Sequence, residues 1–75
     1  MPPDLRQLLI NVLGVDSISE QDTVETIAAW DSVRHLNLIA AIEERFGFTF
    51  DSDEMLELTT VRAIHQAIQR RIPPA

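Results

Sequence analysis

The chain has 75 residues, 45% of them hydrophobic, and carries a net charge of −6 from 12 acids against six bases, with no cysteine. That length allows one small domain spanning 1–75, and the apolar share fits a folded chain and not a disordered tail. The acidic balance excludes nucleic acid and anionic membrane as partners, and the missing cysteines exclude disulfides, thiolate metal sites and a thiol nucleophile of the chain's own.

A core this small, without staples, calls for efficient helical packing. The first predicted helix runs from Asp4 to Leu13, where Leu5, Leu8, Leu9, Val12 and Leu13 recur at the spacing of one buried face. Gly14 reads as its stop. Residues 15–30 form a long connection rich in Asp, Ser, Glu and Thr, which Ile18, Val24 and Ile27 are expected to pin to the core. A short helical turn between Thr23 and Ala29 is compatible with the pattern.

At Trp30-Asp31-Ser32-Val33 the polar loop gives way to an apolar-periodic segment. Asp31 suits a helix N-cap, its carboxylate accepting from a first-turn N–H. Ser32 then falls on the first helical residue, where free N–H donors and the helix dipole favour a phosphate. A serine hydroxyl there is well placed to bear a phosphodiester, although the Asp31 charge opposes part of that benefit. An Asp-Ser pair is equally what an ordinary helix start looks like.

The second helix is predicted over Ser32 to Phe46, with Leu38, Ile39, Ile42 and Phe46 facing inward. Val33, Leu36 and Ala40 make a second apolar patch beside Ser32. It is either a partner surface or the flank of a central helix that is wet on a narrow strip only. Gly47 ends the helix, and Phe50 is expected to plug the core. Asp51 and Glu54 have capping-box spacing and open a short third helix, Ser52 to Glu57. Thr59 is read as the cap of the fourth helix, with Val61, Ile64, Ile68 and Ile72 as its buried stripe. Arg70 and Arg71 sit at its end, and Pro73-Pro74 stops it. The fold class expected is all-α: a small bundle of three main helices plus a short third helix, with a long first loop.

Together these residues resemble the acyl carrier protein family over nearly the whole length. The Asp31-Ser32-Val33 triplet carries the resemblance with Leu36, Leu38, Ile39, Ala41 and Ile42. The acidic end Glu43-Glu44 with Phe46 continues it, then Phe50, the acidic short helix at 51–57, and Leu58-Thr59-Thr60-Val61 through Ile68. The resemblance implies that Ser32, with Asp31 as its motif partner, carries 4′-phosphopantetheine from coenzyme A, making the chain a phosphoprotein. The thiol of that arm would hold acyl groups as thioesters for enzymes that dock on the second helix and its neighbours. Those partners would be a phosphopantetheinyl transferase and acyl or aminoacyl ligases, synthases or transferases. Docking residues implied are Val33, Arg34, Leu36, Ala40, Glu43, Glu44 and Glu54. Leu36, Ile39, Leu58, Ile64 and Ile68 either line a cargo cleft or fill a tight core.

The chain departs from carriers of primary fatty-acid synthesis at Arg34, His35 and Asn37, where an acidic helix start is usual. Arg34 is either a partner-specific contact or a solvated surface charge. The departure points to a specialised secondary-metabolite or modified fatty-acid or polyketide pathway, for which the Trp30-Asp31-Ser32 form of free-standing carriers is the closer likeness. The alternatives are a peptidyl or aminoacyl carrier, and an unmodified acidic helical adaptor for a basic partner. His35 could touch the arm or be half-buried and hydrogen-bonded, Trp30 is expected to pack, and His65 lies near the buried stripe. No nucleophile–base pair, paired carboxylates or glycine-rich phosphate loop argues for an enzyme, and the two histidines make a poor metal site. The start lacks signal-peptide regions and no stretch could span a bilayer, so the expectation is a soluble, cytoplasmic monomer.

Overall fold

The computed structural model describes residues 1–72; Pro73 and Pro74, read above as the stop of the last helix, lie outside the described residues. Four helices follow in order: α1 (Pro3–Leu13), α2 (Ser32–Phe46), α3 (Ser52–Glu57) and α4 (Val61–Arg71). The all-α class expected from the periodicity is what forms. Helix α1 begins one residue earlier than the apolar pattern suggested, because Pro3 fits a first-turn position that needs no N–H. Leu5, Leu9 and Leu13 are fully buried, while Leu8 and Val12 are half-buried at the edge of the same face. Gly14 closes the helix in the left-handed region at φ 67°, donating its N–H to the Ile10 carbonyl. Gly47 does the same for α2 at φ 78°.

One core joins the elements. Leu38, Ile39 and Ile42 come from α2; Val61, Ile64, Ala67 and Ile68 come from α4; Ile18, Ile27 and Trp30 come from the first loop; and Phe50 and Leu58 flank α3. Each fully buried aliphatic chain contributes about 1.5–3 kcal/mol relative to exposure. The loop is pinned as expected by Ile18 and Ile27, with Val24 half-buried. Between Thr23 and Ala29 the chain makes a single helical turn that does not extend into a helix: Ile27 N–H meets the Thr23 carbonyl, four residues back, at 3.1 Å. The polar composition of the loop is spent on local ties, such as Ser19 N–H to Asp22 Oδ2 at 2.9 Å and Thr26 Oγ1 to Asp22 Oδ1 at 3.0 Å.

Three local expectations need correction. Thr60, not Thr59, caps α4, its Oγ1 accepting from Ala63 N–H at 3.0 Å. An antiparallel bridge between Thr23 and Thr60 holds Thr60 extended, the cap conformation, while the Thr59 carbonyl is taken by Val24 N–H at 3.0 Å. Ile72 is 44% exposed because the helix has already ended at Arg71; Ala67 takes its share of the buried stripe. The Asp51–Glu54 capping box does not form: Asp51 makes no side-chain cap bond, and the Glu54 carboxylate binds Arg71 in a two-point clasp. A charge-assisted fork outcompetes a carboxylate reaching back to one backbone N–H. Arg71 is further held by Phe48 and Phe50, its guanidinium 5.2 and 5.1 Å from their ring centres.

Candidate functional site

The site is built around the first turn of α2. Asp31 is extended (φ −96°, ψ −174°), and its Oδ1 accepts from Arg34 N–H at 2.8 Å. This leaves the first-turn N–H groups of Ser32 and Val33 without an acceptor among the described residues. Ser32 is exposed. It borders an open groove of about 490 Å³ whose other walls are Val24, Trp30, Asp31, His35, Leu56 and Thr59. A larger groove of about 670 Å³ lies between α1 and α2, but Ser32 is not part of it and its rim residues Asp4 and Arg45 are paired at 2.8 Å.

Behind the groove the side chains are fixed. Trp30 is buried, as expected, and its indole N–H donates to His35 Nδ1 at 2.9 Å. Indole can only donate, so Nδ1 is the acceptor and Nε2 carries the proton. That Nε2–H meets the Met55 carbonyl at 2.8 Å. His35 is thus half-buried with both ring nitrogens satisfied. This connection from loop through α2 to α3 was not legible in the sequence. Leu56, 76% exposed, was also missed; its signal was a lone leucine on the acidic face of a short helix. His65 pairs with Glu20, and the hydrogen bond from His65 holds the Glu20 carboxyl below the usual carboxylate range. Among the described residues no three or more His, Cys, Asp or Glu side chains gather as metal ligands.

The docking candidates separate into two kinds. Val33 (67% exposed), Leu36 (59%) and Ala40 stand free along α2, and Glu44 is exposed beyond them. The others are engaged. Arg34 Nη1 donates to the Val12 carbonyl at 2.8 Å, capping the end of α1. Glu43 Oε2 accepts from Phe50 N–H at 2.7 Å, and Glu54 holds Arg71, which keeps the Glu54 carboxyl below its usual range. Of the cleft candidates, Ile39, Leu58, Ile64 and Ile68 are closed into the core, and Leu36 lies apart from them on the outer surface.

No curated protein matches the chain. The family described as a phosphopantetheine attachment site matches residues 3–68, from the first residue of α1 into the last turns of α4 and across the Asp31-Ser32 turn. With the four-helix order and an open serine at the mouth of α2, that match shows that the chain belongs to the phosphopantetheine attachment family, whose domains carry 4′-phosphopantetheine for biosynthetic enzymes.

Proposed function

We propose that Ser32 is the attachment residue and that the chain is an acyl carrier protein of a specialised secondary-metabolite, modified fatty-acid or polyketide pathway. The observation that carries this reading is the exposed Ser32 hydroxyl at the head of a 15-residue helix. The open N–H groups of that turn suit a phosphodiester. The residues present fit the arm: Ser32 stands free, and Val24, Trp30 and Leu56 give the adjoining groove an apolar lining along which it could lie. When bound, the arm supplies the thiol that this cysteine-free chain lacks, and that thiol carries the acyl group.

Val33, Leu36 and Ala40 offer an apolar docking strip beside the serine, bordered by Glu44. The net charge of −6 steers basic partner surfaces toward it. Arg34 in place of an acid at the helix start supports a dedicated set of partners. Its guanidinium is drawn to α1, so the docking face is less acidic here without gaining a free cation.

Intact mass after incubation with coenzyme A and a broad-specificity phosphopantetheinyl transferase tests the reading, beside a Ser32→Ala control. A gain of one arm by the native chain alone is expected. No gain, with a known carrier modified in the same tube, would overturn it in favour of an unmodified acidic adaptor. Loading by aminoacyl ligases and not by acyl ligases would turn the assignment to a peptidyl carrier.

A further inference from the structure

Helix α3 is held differently from its neighbours. It buries none of its residues, whereas α1 and α2 bury three each and α4 buries four. Met55 packs half-buried against the core, and polar ties add to that contact. On one side Glu54 clasps Arg71. On the other, the Met55 carbonyl meets His35 Nε2 at 2.8 Å. That carbonyl lies in the last turn of α3, where its backbone partner, Leu58 N–H, is 3.4 Å away, so His35 supplies its better donor. The imidazole is itself fixed by the indole of Trp30, a side chain only 4% exposed.

We infer that His35 is a latch that positions α3 beside Ser32 and thereby sets the wall of the groove the arm would occupy. Holding the Met55 carbonyl holds Leu56, the next residue, which forms the α3 side of that groove. A neutral imidazole offers one acceptor and one donor on different edges of a rigid ring, which is what a donor-only indole and an acceptor-only carbonyl require. His35 is a positioning residue, and its groove role rests on Ser32 being the attachment residue. The latch itself does not.

Backbone hydrogen exchange across 52–58 tests the latch in the wild type, His35→Gln and His35→Leu, alongside KM for the chain in the transferase reaction followed by intact mass. Glutamine offers both an acceptor and a donor; leucine offers neither. With His35→Leu, exchange in α3 should quicken on the order of tenfold while α1 and α4 stay as in the wild type. KM should rise while the endpoint stays at one arm per chain, and His35→Gln should restore part of both. If His35→Leu does not fold, Trp30→Phe reads the latch from its other end, since loss of the indole donor must also quicken α3 exchange. Unchanged α3 exchange, or equal quickening in all four helices, overturns the latch. Faster α3 exchange at unchanged KM overturns its role in the groove. A wild-type chain that gains no arm sinks the attachment reading, and exchange then judges the latch alone.

Discussion

Replacing Arg34 with alanine should loosen the junction between α1 and α2 without touching the core. Helix α1 ends with no basic residue in its last turn, and the Val12 carbonyl in that turn is met by Arg34 Nη1 at 2.8 Å. A cation at a helix C-terminus contributes about 0.3–1 kcal/mol. A net hydrogen bond adds about 0.5–1.5 kcal/mol, toward the lower end here because Arg34 is exposed. The two together come to about 1 kcal/mol, which in a domain of this size lowers Tm by about 4–8 °C. Thermal melts by far-UV circular dichroism at low and high salt measure it. The gap between wild type and Arg34→Ala should narrow as salt screens the charge. Arg34→Lys, which keeps the cation but not the planar fork, should fall between them. Equal Tm values for wild type and Arg34→Ala at low salt would refute the capping role and return Arg34 to a free surface charge.

Three further outcomes follow from the packing and the ion pairs. Thr60→Ala should cost about 1 kcal/mol by urea denaturation while Thr59→Ala stays near wild type, since only Thr60 Oγ1 caps α4; the reverse order would restore the cap to Thr59. Ile42→Ala, at a fully buried position of α2, should cost about 2–5 kcal/mol, and a loss below 1 kcal/mol would show that the site collapses around the cavity. Arg71 holds the Glu54 carboxyl below the usual range, so the pair stabilises the fold above that range and the contribution is lost as pH falls through the lowered folded value. Glu54→Gln should therefore flatten the acid limb of stability against pH; a difference from wild type that stays constant from neutral to acid would refute the coupling.

Much of this molecule is local in origin. Gly14 and Gly47 end α1 and α2 because each takes the left-handed conformation, and Asp31 starts α2 because a carboxylate can reach the third N–H of its own helix. The buried faces of α1 and α2 could be read from spacing alone for the same reason: side chains a turn apart share a face whatever they pack against. Ser32 was legible as a candidate because both its cap and its helix lie within a few residues of it. What failed were choices between near-equivalents. Thr59 and Thr60 have the same chemistry, and Glu54 fits a capping box and a salt bridge equally well in the sequence.

Those choices were settled by partners that the fold brings together, most of them far along the chain and one, Trp30, five residues from His35. Thr60 was selected by a bridge to Thr23, Glu54 was taken by Arg71, Arg34 by the Val12 carbonyl and His35 by Trp30 and Met55. The sequence by itself determined which segments are helical, where they begin and end to within a residue or so, and that a serine heads the second helix. Those properties depend on backbone propensity and hydrophobic period, which act over one or two turns. Only the tertiary structure decided which charged and hydrogen-bonding groups are engaged and which remain free for a partner. Long polar side chains take whichever partner the packed helices bring within about 3 Å, and no local pattern encodes that distance.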